Sequence, residues 1–244
     1  SIAAYKMDEE GASATAIDGM PFKSGDAPQE IMLHPSGKFL YVGNWRGANM
    51  SSYAIDGETG ELSPIAGPKV ETGFYPFKGS MHPTGKYIYL ANWASSDISA
   101  FSINQQTGVL SPLTDDRTAV QGRGSPVTVQ LDAAGRHAYV PDYDNMDMKV
   151  FDVDPESGEL VNQRRLLSRQ GVRGMAILEG DKPVRISTQW MIAADRKKNT
   201  IGSYGFSAKT NGLQPIHQLQ LGFTPDIIAV YADAGVVYVA NKQS

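Results

Sequence analysis

Apolar runs of four to six residues alternate with turns rich in Gly, Pro, Asn, Asp and Ser, and long runs of Ala, Leu and Glu are missing. Many short strands are therefore predicted rather than helices. One stretch shows the unit clearly. Phe77 to Met81 reads as a first strand, followed by a Pro83-Thr84-Gly85 turn and a second strand from Tyr87 to Ala91. A loop from Asn92 to Asp97 leads to a third strand, Ile98 to Ile103, and the turn Gln105 to Gly108 passes to a fourth beginning at Val109.

The unit recurs. Leu33-His34-Pro35-Ser36-Gly37-Lys38-Phe39-Leu40-Tyr41-Val42-Gly43-Asn44-Trp45 is repeated as Met81-His82-Pro83-Thr84-Gly85-Lys86-Tyr87-Ile88-Tyr89-Leu90-Ala91-Asn92-Trp93. A third copy runs from Leu131 to Tyr143, a degenerate fourth ends Ile192-Ala193-Ala194-Asp195-Arg196, and the fifth spans Tyr231 to Lys242. Pro28, Pro76, Pro126 and Pro225 precede the first strand, with Val172 in the fourth copy. Asn44, Asn92, Asp142, Asp195 and Asn241 end the second strand, and Tyr5, Tyr53, Phe101, Phe151 and Tyr204 mark the third. A four-stranded sheet with two apolar faces cannot bury both alone, so the copies must stack face to face around an axis. The expected fold is an all-β, five-bladed β-propeller of four-stranded blades, a single domain over 1–244. The text stops after a second strand (Val237 to Asn241) and starts with a third (Ser1 to Met7), so one blade is expected to be shared between the termini, leaving no open strand edge. Tyr41, Tyr89, Tyr139 and Tyr238, with Tyr53, Phe101, Phe151 and Tyr204, are expected to be buried between blades.

Composition narrows the partners. The formal net charge is −4, and the one basic run, Arg196-Lys197-Lys198, is short, which argues against nucleic acid or an anionic membrane surface. No apolar stretch approaches the roughly 18 residues that span a bilayer. The chain has no cysteine, which excludes disulfides and thiolate metal sites. That suits the cytoplasm, towards which the reading leans, and equally a periplasmic or processed secreted chain. No cofactor or metal is expected: Asp144-Asn145-Met146-Asp147 is too short for a calcium loop, and Gly122-Arg123-Gly124 opens no helix. The sequence specifies no oligomeric state.

The repeat text from His34 to Asn44, followed by Tyr53-Ala54-Ile55-Asp56 and Glu58-Thr59-Gly60-Glu61-Leu62, resembles the lactonase-type β-propeller family, which includes propeller-type 6-phosphogluconolactonase and carboxymuconate cyclase. The resemblance covers essentially the whole chain. It implies a seven-bladed relative, where five copies are counted here. It also implies a site with a His and two Arg at first-strand entrances and a Glu just after a second strand. The entrance positions hold Gln29, Phe77, Val127, Arg173 and Asp226, so Arg173 alone matches; the Glu position holds Trp45, Trp93, Tyr143, Arg196 or Lys242.

First strands leave one face of a propeller and second strands return to it, so these positions converge on one mouth of the central channel. Concave mouths with aromatic walls and a few polar groups are the usual ligand sites. Trp45, Trp93 and Tyr143 can stack on a sugar ring or fill space between blades, and Gln29 supplies a polar group. Lactone hydrolysis needs a water, a base and a donor for the developing oxyanion. Arg173 is the candidate donor and anion holder, Asp226 or Asp195 the base, and Lys78, Arg196 and Lys242 add positive charge for an anionic small-molecule substrate. Asp226, one copy further on, is also the natural ion-pair partner of Arg173. The Asn/Asp positions are read as serving the fold, their side chains bonding backbone groups where the second strand ends, and His34 and His82, in turns on the opposite face, as structural; His137 and His217 lie within strands. Three functions follow: hydrolysis of a sugar-acid lactone such as 6-phosphogluconolactone, a non-catalytic propeller binding or scaffold module, and a carboxymuconate-type cyclase.

Overall fold

A computed structural model describes residues 1–8, 13–114, 117–120, 124–132, 134–145, 147–167, 190–195, 199–207, 212–225, 227–231 and 236–240. Twenty-one strands are described and no helix. The chain opens with β1 (Ile2–Met7) and β2 (Ala14–Ala16). The first copy gives β3 (Pro28–Leu33), β4 (Phe39–Asn44), β5 (Asn49–Ile55), β6 (Leu62–Pro64) and β7 (Val70–Glu71). The second gives β8 (Pro76–Met81), β9 (Tyr87–Asn92), β10 (Asp97–Ile103), β11 (Leu110–Pro112) and β12 (Thr118–Ala119). The third gives β13 (Gln130–Leu131), β14 (His137–Asp142), β15 (Asp147–Val153) and β16 (Leu160–Leu167). Then follow β17 (Trp190–Asp195), β18 (Thr200–Ser207), β19 (Gly212–Gln220), β20 (Ile227–Tyr231) and β21 (Val236–Ala240).

Neighbouring strands pair antiparallel into five described sheets, with the orders β3-β4-β5-β6, β8-β9-β10-β11, β13-β14-β15-β16, β17-β18-β19 and β20-β21-β1-β2. In the last of these β1 pairs with β21, Ile2 opposite Ala240 and Lys6 opposite Val236, so strands from both ends of the chain share a sheet as the repeat predicted. First strands of successive sheets lie against one another: β20 with β3, β3 with β8, and β8 with β13. This is the inner rim of a propeller.

The second strands β4 and β9 are buried at every position, because each is central in its sheet and covered on both faces by neighbouring sheets. Four apolar clusters fill the spaces between sheets among the described residues. One joins Ile2, Leu40, Tyr53 and Tyr238; a second Tyr41, Leu90 and Phe101; a third Tyr89, Val140 and Phe151; a fourth Ala3, Val239 and Ile201. Three tyrosines sit in these spaces without a stranded hydroxyl. Tyr238 Oη donates to the Gly60 carbonyl (3.3 Å), Tyr41 Oη to Gly108 (2.9 Å) and Tyr89 Oη to Gly158 (2.6 Å), each reaching the next sheet's third-to-fourth-strand turn. A buried hydroxyl left unpaired would cost about 1–3 kcal/mol, so these bonds fix which tyrosine rotamer is allowed. Tyr139 departs from expectation: it is only half-buried, while its neighbours Ala138 and Val140 are fully buried like their counterparts in the first, second and fifth copies. The Tyr204 side chain lies outside the described residues.

The turn end of the sheets is locked by histidine. The Ser36 amide donates to His34 Nδ1 (3.1 Å), which leaves the proton on Nε2, and Nε2 donates to the Gly85 carbonyl of the next sheet (3.0 Å). His82 repeats this with Thr84 and Gly135. Both histidines are thus structural, as their place in the repeat implied.

Candidate active-site mouth

At the opposite end, the first strand of each of the first three copies enters beside the residue that ends the second. Pro28 faces Asn44, Pro76 faces Asn92, and Pro126 bridges to Asp142. The ladder is irregular here, between Pro28 and Glu30 and between Pro76 and Gly79. Bulges re-aim side chains and collect beside active sites. Those at the mouth take Gln29, Phe77 and Lys78 out of regular register.

In the first three copies the residue after the second strand is pinned by the loop before the first. The amides of Trp45, Trp93 and Tyr143 donate to the carbonyls of Ala27 (2.8 Å), Tyr75 (3.0 Å) and Ser125 (3.0 Å). Their rings form one cluster. Trp45 stacks on Tyr75 at 4.9 Å and 8°, and meets Phe77 (5.5 Å) and Trp93 (6.1 Å) edge-on. Trp93 in turn meets Phe77 (5.4 Å) and Tyr143 (5.9 Å). Trp45, Phe77, Trp93 and Tyr143 are half-buried, while Tyr75 is 45% exposed, so the cluster is partly open to solvent. Tyr75 also holds a positive φ of 57°, a conformation costly for a bulky residue.

The Asn/Asp positions serve the fold, though differently from one copy to the next. Asn44 Nδ2 donates to Asn49 Oδ1 (2.7 Å) and Ser51 Oγ (3.0 Å), and Asn92 Nδ2 to Asp97 Oδ1 (2.6 Å) and Ser99 Oγ (2.8 Å): side-chain acceptors, where backbone groups were expected. Asp142 instead accepts from the Ser125 amide (3.0 Å) and from Asn145 Nδ2 (2.7 Å). The entry loop passes directly over these groups. A Cβ on Gly25 would stand 2.5 Å from Asn44 Nδ2, and one on Gly73 would stand 2.7 Å from Asn92 Nδ2. The glycine two or three residues before each proline was the signal for this contact, and the repeat reading passed over it.

Among the described residues, three buried side-chain oxygens at this end have no protein partner: Gln29 Oε1, Asn44 Oδ1 and Asn92 Oδ1. Such acceptors await water or ligand hydroxyls. Glu30, one residue further along β3, is another group the sequence reading missed. Burial raises its carboxyl to about 8, against the opposing pull of the Lys78 charge and a hydrogen bond from the Gly79 backbone. Its sequence signal is a lone acid in the first strand Pro28–Leu33, facing Gly43 where the other copies have Ala91, Pro141, Ala194 and Ala240.

Of the residues picked from the sequence, the structure brings Trp45, Trp93 and Tyr143 into one cluster, and places Gln29 and an exposed Lys78 on the adjoining bulges. Asp195 ends β17 opposite Thr200, in register with Asn44 opposite Asn49. Its side chain, with Arg173, Arg196, Asp226 and Lys242, lies outside the described residues.

Stacked antiparallel sheets with their first strands on an inner rim, and an aromatic mouth where first and second strands meet, define a β-propeller. The family described as "Lactonase, 7-bladed beta-propeller" matches residues 1–75 and 78–174. This chain belongs to it. No curated protein matches the sequence. Among solved structures, the chain is similar to a Lactobacillus plantarum protein (TM-score 0.55, 20% identity, 88% of this chain and 64% of that one). It is also similar to the periplasmic gluconolactonase PpgL of Pseudomonas aeruginosa (TM-score 0.54, 16% identity, 100% and 90%). A functionally unknown protein of Desulfotomaculum acetoxidans gives a TM-score of 0.51 at 15% identity, over 88% and 71%. At these identities the likeness is one of fold, and the chain spans 64% of the length of the Lactobacillus protein.

Proposed function

We propose that the protein is a lactone hydrolase that binds a sugar-acid lactone, such as 6-phosphogluconolactone, at the aromatic mouth. The observation that carries this reading is the cluster of Trp45, Tyr75, Phe77, Trp93 and Tyr143 at the mouth of a lactonase-family propeller. Aromatic faces stack on the C–H face of a sugar ring, and acceptors such as Gln29 Oε1 pair with its hydroxyls. The gluconolactonase activity in the name of the similar Pseudomonas structure supports the same substrate class. In this reading Arg173 holds the anion and the developing oxyanion, Asp226 or Asp195 takes the proton of the attacking water, and Lys78, Arg196 and Lys242 favour a phosphorylated or carboxylated substrate.

A pH-indicator assay on glucono-δ-lactone and 6-phosphogluconolactone tests it. Arg173→Ala should lower kcat/KM about 100-fold or more with the melting temperature nearly unchanged. Trp93→Ala should raise KM about tenfold. Retained turnover in Arg173→Ala with a loss of stability would make Arg173 an inter-sheet ion-pair residue. The mutual packing of Trp45 on Tyr75 and Trp93 favours a second reading, a binding module whose rings close the mouth. Sugar-acid binding by wild-type protein without hydrolysis would select it.

A further inference from the structure

Glu30 enters none of the roles above, yet its surroundings are built for a carboxyl. It sits on β3, on the inner rim, where β3 and β8 lie against each other. Gly43 stands opposite it in the ladder, so no side chain covers Glu30 from there; a Cβ would stand 3.6 Å from the Glu30 Cβ, in ordinary contact, and 3.2 Å from Leu90 Cδ2. A backbone hydrogen bond from Gly79 and the charge of Lys78, both on the bulged start of β8, act on its carboxyl. Gln29, next in sequence and buried, offers an oxygen with no protein partner. Phe77, beside Lys78, belongs to the aromatic cluster. A carboxyl, a cation, an open acceptor and a ring platform thus share two adjacent strands.

We propose that Glu30 is the general acid that protonates the departing ring oxygen in lactone hydrolysis; the inference rests on the lactonase reading above. Water attacks the lactone carbonyl carbon and gives its proton to the base of that reading, Asp226 or Asp195. The tetrahedral intermediate then breaks the bond from that carbon to the ring oxygen, and Glu30 passes its proton to the oxygen, which leaves as a hydroxyl. The proton on the aspartate returns through solvent to Glu30, so lactone and water give the hydroxy acid with nothing else consumed. The environment suits this direction of transfer. A carboxyl that titrates at about 8 carries its proton at neutral pH, where a solvated one has lost it. Other titratable groups on the strands packed against β3 are turned elsewhere: Tyr41 on β4 and Tyr238 on β21 give their hydroxyls to Gly108 and Gly60. On β20 the titratable residue is Tyr231, whose side chain is outside the described residues. Lys78 is the charged group on β8.

The test compares two lactones. An aliphatic sugar lactone expels an alkoxide and needs the acid; dihydrocoumarin expels a phenoxide and does not. Glu30→Gln should lower kcat on the sugar lactone by about 100-fold or more while changing dihydrocoumarin turnover less than about threefold, and should abolish the fall in activity above about pH 8. Lys78→Met should move that fall to higher pH, because the lysine charge opposes the raised carboxyl. Equal losses on both lactones would make Glu30 a structural residue and overturn the proposal, as would an unchanged alkaline limb in Glu30→Gln. A wild-type protein that hydrolyses no lactone would overturn the lactonase reading and this role together, whereas an active wild type with a fully active Glu30→Gln would overturn this role alone.

Discussion

At the turn end of the sheets the tight turns hold their positive φ on glycines, Gly37, Gly60, Gly85, Gly108, Gly135 and Gly158, with Asn162 early in β16 the one non-glycine among the described residues. At the mouth end the same region of backbone space is held by Ala27, Ala48, Tyr75, Ser96 and Asn199. The polar groups divide in the same way. At the turn end His34 and His82 are bonded through both ring nitrogens, and Asp132 accepts from the Arg136 amide (2.6 Å). At the mouth end the oxygens of Gln29, Asn44 and Asn92 are buried without a protein partner. A side chain in the left-handed region costs about 1–2 kcal/mol that glycine does not, and a buried acceptor without a partner costs a similar amount. The turn end is therefore tuned to hold the sheets together. The mouth carries strain and open hydrogen-bonding capacity, the pattern of a functional site on a rigid frame.

Changes at the turn end should cost stability and spare the mouth. The largest effect is expected from Gly85→Ala. Its φ is +72°, and a Cβ there would lie 2.5 Å from His34 Nε2, so both the backbone and the inter-sheet bond must give. A loss of about 3 kcal/mol in urea unfolding is expected, with ligand affinity at the mouth unaltered below the transition. A loss within 0.5 kcal/mol of zero would break the comparison.

His34→Ala should cost less, about 1–2 kcal/mol, because the Gly85 carbonyl keeps a second donor in Gln105 Nε2 (2.9 Å). Burial lowers the His34 imidazole from its ordinary value. The folded state therefore prefers the neutral ring, and stability should fall as pH drops from the ordinary histidine range through that lowered value. The same acid-side loss should be missing in His34→Ala, as measured by melting temperatures across that range.

The smallest effect has the opposite sign. Ala27→Gly removes left-handed strain at φ 51° but adds freedom to the unfolded chain. A net gain of about 0.5 kcal/mol, or roughly 1–2 °C in Tm, is expected without change in activity. Glycine at Tyr75, whose φ is 57°, should give up any such gain, because the ring stacked on Trp45 goes with it; weaker ligand binding is the readout.

Much of the frame was legible because it is local and repeated. The proline at the start of four of the five first strands and the Asn or Asp that ends each second one placed Pro28 opposite Asn44 and Pro76 opposite Asn92. The third-strand aromatics Tyr53, Phe101 and Phe151 are buried as the repeat implied. Tyr139 was misplaced because burial depends on which neighbour covers a face, and that neighbour is far away in sequence.

The sequence by itself determined strand order, the register away from the bulges, and that Trp45, Trp93 and Tyr143 follow the second strands, since a periodicity of two and a repeated turn chemistry are properties of neighbouring residues. Only the tertiary structure decided that Trp45 stacks on Tyr75 rather than lining an open wall, and that Asn44 and Asn92 bond side chains instead of backbone. It also decided that Glu30 sits beside Lys78 with its proton held to about pH 8. The physical reason is common to all three. Ring contact, hydrogen-bond partner and dielectric depend on atoms brought close by packing between sheets, and residues some 48 positions apart become neighbours only when the sheets stack.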